Sequence, residues 1–278
     1  MSALVLLALL AVGLLVGFTA GLIGIGGGVL IVPFLYFFYA HPEWAGFALP
    51  VSLQVAVAHA TSLFVILPTA IRGSVSYSKA GLVVWQVALP VAAAALIGGV
   101  LGARLAIILP AELLKLIFGV FLVASGGQLM LRRGHAEERA VRTNLFATSI
   151  TGLMVGTLSG MMGVGGGILA LPMLMYLLHV DLRRAAATSL AIIGFAACGG
   201  LLTYALSGAH VAGRAPLSLG YIHFGAGLPI LVGSLISVHW GTVVNQRTKT
   251  PVLRYIFATV FIVLGIQFIL KNLRAVLF

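Results

Sequence analysis

The stretch Gly21-Leu-Ile-Gly-Ile-Gly-Gly-Gly-Val-Leu-Ile-Val-Pro33 returns as Gly160-Met-Met-Gly-Val-Gly-Gly-Gly-Ile-Leu-Ala-Leu-Pro172, and each copy runs on into apolar sequence. The offset is 139 residues (160 − 21), half of the 278-residue chain. Three consecutive glycines are costly within a helix, at about 1 kcal/mol per Gly relative to Ala. Two such clusters at matching positions therefore mark a specified break in the backbone of a duplicated chain.

The match extends outward from the glycines. The same offset carries Pro90 onto Pro229, Gly102 onto Gly241, Lys115 onto Arg254, Phe118 onto Phe257 and Gln128 onto Gln267. Between these blocks the offset is 127, which carries Ala60-Thr61-Ser62-Leu63 onto Ala187-Thr188-Ser189-Leu190 and Tyr77 onto Tyr204. The difference falls at 41–52 in the first half and 208–219 in the second. Insertions confined to loops are the mark of a structural repeat. The chain divides into a first transmembrane repeat over 1–131, a basic cytoplasmic linker over 132–144 and a second transmembrane repeat over 145–278.

Composition names the solvent. With 61% hydrophobic residues, 8% charged residues and a mean hydropathy of +1.18, the chain cannot clothe itself as a water-soluble globule. It reads as an all-α polytopic membrane protein. The run from Ala3 to Val16 has no preceding Lys or Arg and flows into the first glycine break, so it reads as the first membrane segment and not as a signal peptide. A net charge of +11 would point to nucleic acid in a soluble chain; here it reads as loop charge that sets orientation, and no nucleic-acid partner is expected. Cys198 is the lone cysteine, which leaves no intrachain disulfide and no thiolate cluster.

Apolar runs occupy about 3–19, 26–40, 49–71, 81–103 and 112–131, then 145–161, 165–179, 185–207, 219–241 and 251–271. The runs beside the glycine clusters fall short of the ~20 residues a crossing needs. They fit short spans, re-entrant hairpins or one broken helix, giving eight to ten crossings. Five segments per half is an odd number, so the second half enters the membrane from the opposite side, as an inverted repeat. Loops assigned alternately to two sides place eleven Lys and Arg on one side, Arg72, Arg132 and Arg183 among them, and five on the other. The richer side is expected to be cytoplasmic, with both termini outside.

Broken helices in an inverted repeat have a use. In secondary transporters the half-helix N-termini meet near the midplane and turn free N–H groups toward an anion. The candidate binding residues are Gly24, Gly26, Gly27 and Gly28 of the first cluster, and Gly163, Gly165, Gly166 and Gly167 of the second. Such glycines also serve close helix packing; the duplication of a triple glycine favours the anion cradle. Thr61-Ser62 and Thr188-Ser189 add hydroxyls that can donate to an anion without a buried charge. The acidic residues Glu43, Glu112, Glu137, Glu138 and Asp181 fall in or beside loops. That leaves His59, His223, His239 and Arg104 as titratable candidates, with His59 favoured because it stands two residues before Thr61. Its repeat partner is Ala186, so any role for it is asymmetric.

The Gly-Ile-Gly-Gly-Gly cluster with its following proline, the two Ala-Thr-Ser-Leu motifs, and the blocks from Pro90 to Gly102 and from Pro229 to Gly241 resemble the sulfite exporter TauE/SafE family across nearly the whole chain. The resemblance implies a multi-pass permease of the inner membrane for small sulfur-containing anions, such as sulfite or sulfoacetate-like organosulfonates. The expectation is a secondary transporter working by alternating access, with no cofactor and no metal, as a monomer or a homodimer in the lipid bilayer. The other readings are an anion channel or a transporter of another small anion. An enzyme is not expected, since no His-Glu pair, Ser-His-Asp set or paired carboxylates lie at membrane depth.

Overall fold

A computed structural model describes residues 2–131 and 144–247 together with 255, 258, 259, 262, 263, 265–271 and 273. The linker expected over 132–144 lies outside the described residues except for Asn144, which caps the helix that follows it by accepting from the Phe146 N–H at 2.9 Å.

The first half folds as α1 (Ala3–Ile23), α2 (Gly28–Ala40), the four-residue α3 (Pro42–Ala45), α4 (Val51–Lys79), α5 (Trp85–Ile108) and α6 (Ala111–Leu131). The second half gives α7 (Leu145–Met162), α8 (Gly167–Tyr176), α9 (Leu182–Ser207), a minimal antiparallel hairpin of β1 (Ser218–Leu219) and β2 (Ile222–His223), and α10 (Phe224–Arg247). The chain is an all-α polytopic membrane protein. Helices α1, α4, α5, α7, α9 and α10 are long and apolar enough to cross a bilayer. Large apolar side chains such as Leu7, Leu89, Ile97, Leu202 and Val232 point outward, whereas Thr61, Ser62, Ser159, Thr188 and Ser189 are buried. That polarity suits lipid outside and a polar interior.

The segments beside the glycines form short helices. Helices α2 and α8 have 13 and 10 residues, or roughly 20 and 15 Å at 1.5 Å per residue. Neither is long enough for a ~30 Å hydrocarbon core. A Cβ on Gly27 would meet Val16 and Ala20 of α1, and one on Gly166 would meet Val155 and Ser159 of α7. The chain thus folds back on the end of α1 and of α7 at each glycine cluster, and the short helices that follow pack chiefly on α4 and α9.

Glycine rows join the halves. In α1, Gly13, Gly17 and Gly21 lie against the backbone carbonyls of Ile230, Ser234 and Val238 in α10. In α7, Gly152, Gly156 and Gly160 lie against those of Val91, Ala95 and Gly99 in α5. Numbers rise together across both interfaces, so each pair is parallel, and every residue of one interface maps onto the other through the 139-residue offset. Lipid gives helices no hydrophobic reason to associate; close approach at small residues supplies dispersion contact instead. At the centre the directions oppose: Gly73 of α4 meets Leu190 of α9, while Gly200 of α9 meets Leu63 of α4. The corresponding helices α4 and α9 therefore run antiparallel.

Candidate functional site at the glycine breaks

Helix α1 ends where Gly24 donates its N–H to the Ala20 carbonyl at 2.9 Å, and α7 ends where Gly163 donates to Ser159 at the same distance. The turns that follow are left-handed. Gly24, Gly26 and Gly27 have φ of +77°, +81° and +71°, matched by +67°, +83° and +72° at Gly163, Gly165 and Gly166. Side chains strongly disfavour this region, so the doubled glycines have a geometric cause. Gly28 and Gly167 then open α2 and α8, and all eight glycines are buried.

The two breaks touch. Gly28 packs on Val164 of the second break, and Gly167 packs on Ile25 of the first. Each helix N-terminus carries about half a positive charge, and the first four N–H groups have no intrahelical acceptor. Among the described acidic residues Glu43 and Asp181 are exposed and Glu112 is half-buried. Two positive helix ends thus meet inside the protein without a buried carboxylate among the described residues. Ile66 and Ile193, both fully buried, fill the space beside Gly165.

The Thr-Ser pairs divide between two tasks. The Thr61 hydroxyl accepts from the His223 N–H at 3.0 Å, and Thr188 accepts from the Val84 N–H at 3.0 Å, pinning the segments that enter α10 and α5. Ser189 donates to the carbonyls of Gly24 and Ala186. Ser62, its counterpart, is fully buried and has no hydrogen-bond partner. The same is true of Ser159, whose repeat equivalent is Ala20.

His59 stands at the second break, with its Cα where a Cβ on Gly163 would project. Its Nε2 lies 2.5 Å from the Tyr36 hydroxyl and its Nδ1 3.5 Å from that of Tyr204. Tyr204 donates to the Gly160 carbonyl at 3.0 Å, which leaves its oxygen to accept from Nδ1–H. The network thereby assigns Nε2 as the acceptor of the Tyr36 proton. The Lys115 ammonium stands 5.4 Å from the centre of the Tyr36 ring. Close by, the Tyr39 hydroxyl lies 3.1 Å from His223 Nδ1 and 3.5 Å from the Thr61 hydroxyl. The repeat equivalents of Tyr36, Tyr39 and His59 are Met175, Leu178 and Ala186, so this polarity belongs to one side of the scaffold only. His239 and Arg104 are exposed and take no part. Tyr36, Tyr39 and Ser159 were not among the residues singled out in the sequence; a position-by-position comparison of the two halves carries their signal.

A cavity of about 140 Å³ opens toward the N-terminal end of α4, with Ser52, Val55, Ala56, Leu114 and Tyr221 in its walls. Tyr221 packs edge-on against Tyr204 at 6.2 Å, and Tyr204 in turn reaches His59. The cavity therefore borders the polar side of the scaffold.

The family described as sulfite exporter TauE/SafE matches residues 9–268. The chain is 29% identical over 264 residues to a probable membrane transporter protein of Methanocaldococcus jannaschii, covering 94% of each. It is 26% identical over 283 residues to the probable membrane transporter protein YunE of Bacillus subtilis, covering 95% of this chain and 97% of that one. It is also 31% identical over 187 residues to a probable membrane transporter protein of Xylella fastidiosa, covering 66% and 67%. No solved structure matches it.

Proposed function

Since the chain belongs to the sulfite exporter TauE/SafE family and is a multi-pass membrane protein of transporter type, we propose that it moves small sulfur-containing anions across the inner membrane by alternating access. Sulfite and organosulfonates of the sulfoacetate kind are the substrate class. The observation that carries the reading is the meeting of two buried helix N-termini at Gly28 and Gly167, with no buried carboxylate among the described residues. An oxyanion between them gains from both helix dipoles and from N–H donors that bring no counter-ion of their own. The protein does no covalent chemistry on its cargo in this account.

The two halves form an inverted repeat in the proposal. The exchanged glycine interfaces and the opposed run of α4 and α9 support it. Rocking α1 and α10 as one body against α5 and α7 as the other would expose the breaks alternately to the two sides, with Ile66 and Ile193 closing the path between. The cavity bordered by Tyr221 supplies a vestibule on one side.

Titration calorimetry on purified protein tests the substrate class. Sulfite, thiosulfate, sulfoacetate, taurine and sulfate form the panel, with a carboxylate and a cation series beside it. Saturable binding of a sulfur oxyanion is the expected result. Binding confined to carboxylates or cations contradicts the reading.

A further inference from the structure

We propose that the side-chain donors to the anion at the junction of the two breaks come from the second break alone, as the hydroxyls of Ser62 and Ser159 beside the N-terminus of α8. This inference rests on the anion reading above and narrows it to particular atoms. The class of ligand is a small oxyanion with several acceptor oxygens, such as sulfite or a sulfonate group.

The two halves differ at their serines. In the first break Ser189 donates to the Gly24 carbonyl, so its hydroxyl is held by backbone. The position equivalent to Gly24 is Gly163, yet Ser62 makes no such bond to it and meets no other acceptor. In the last turn of α7, Ser159 replaces the Ala20 that stands in the last turn of α1. Its Cβ lies 3.2 Å from the place a Cβ on Gly166 would take, which sets the side chain beside the N-cap of the ten-residue α8. Both serines have 0% exposure. A buried hydroxyl without a partner forfeits the hydrogen bonds it had in water, so two of them in the second set, where the first has a bonded serine and an alanine, describe donors kept for a ligand.

The surroundings agree. Ser62 is three residues beyond His59 and therefore on the same face of α4, and His59 forms the wall at Gly163. The imidazole is occupied on both nitrogens by Tyr36 and Tyr204, which fixes the ring. At the first break Gly24 lies against the backbone of Ala186, a residue with no ring to offer. Serine back-bonding to a helix carbonyl, the common alternative, is absent at both residues.

The test pairs affinity with stability. Titration of sulfite and of sulfoacetate into detergent-purified wild type, Ser62→Ala and Ser159→Ala is read beside the melting temperature of each. Each substitution is expected to weaken anion binding about 10-fold or more, because a hydrogen bond to a charged ligand is lost. The melting temperature is expected to stay level or rise, because an unpaired buried hydroxyl is removed. Ser159→Ala carries into the second half the residue that the first half has at 20. Ser189→Ala, which removes a paired hydroxyl, is expected to lower the melting temperature. Wild-type affinity in both Ser62→Ala and Ser159→Ala overturns the proposal, as does a loss of stability in both like that of Ser189→Ala. Failure of wild type to bind any anion overturns the anion reading itself, and this assignment with it.

Discussion

The Tyr77 hydroxyl donates to the Gly21 carbonyl at 2.5 Å, fastening α4 to α1 three residues before the first break. Tyr204 makes the corresponding bond to Gly160 at 3.0 Å, fastening α9 to α7 before the second. Both tyrosines are fully buried, so each bond acts where no water can replace it. Tyr77→Phe is expected to destabilise the folded protein by about 1–2 kcal/mol. Tyr204→Phe is expected to cost more, since it also removes the contact to His59. Thermal melts in detergent read both; unchanged melting temperatures would contradict the role.

The glycine rows make a second prediction. A Cβ on Gly17 would collide with the Ser234 carbonyl, and one on Gly156 with that of Ala95. Gly17→Ala and Gly156→Ala each gain about 1 kcal/mol of helix propensity, and the forced separation of a tightly packed pair costs typically 1–3 kcal/mol. Net destabilisation is the expected sign. Gly127 in α6 has nothing within 4 Å of its would-be Cβ, so Gly127→Ala should keep or raise the melting temperature. The same gain in all three variants would show that the rows do not set helix spacing.

The barrier between the breaks is open to a flux measurement. Ile66 and Ile193 are fully buried beside Gly165. The double variant Ile66→Ala, Ile193→Ala should raise the passive leak of sulfite from loaded proteoliposomes above that of wild type, because it removes the apolar plug. An unchanged leak would place the barrier elsewhere.

Much of this was legible in the sequence, for reasons that differ from residue to residue. The expected runs 145–161 and 185–207 became α7 (Leu145–Met162) and α9 (Leu182–Ser207), since apolar length alone defines a membrane segment. The triple glycines announced a break because two costly clusters stand at matching positions of a duplicated chain. The path of the chain through the break was not legible, since it depends on the left-handed φ at Gly24, Gly26 and Gly27, which spacing alone does not specify. The Thr-Ser motifs show a harder limit. Ser62 and Ser189 stand in the same four-residue motif, yet one is unpartnered and the other bonded, since an acceptor across 165 residues of chain decides it. The contrast of Ala20 with Ser159, and of Met175 with Tyr36, was present in the letters all along.

Orientation follows from charge. The linker over 132–144 holds Arg132, Arg133, Arg139 and Arg142 and is expected in the cytoplasm. A cysteine placed at Glu138, in a Cys198→Ser background, should react with an impermeant maleimide in inverted vesicles and be protected in intact cells. Labelling of intact cells would invert the orientation.

The central claim is saturable exchange of a sulfur-containing anion through alternating access at the two breaks. Counterflow in proteoliposomes tests it most directly: vesicles preloaded with unlabelled sulfite or sulfoacetate are diluted into trace labelled substrate. The account predicts transient accumulation of label that saturates with concentration and is lost in the double variant Ser62→Ala, Ser159→Ala. Flux that rises linearly without counterflow, or none with any sulfur oxyanion, would contradict it.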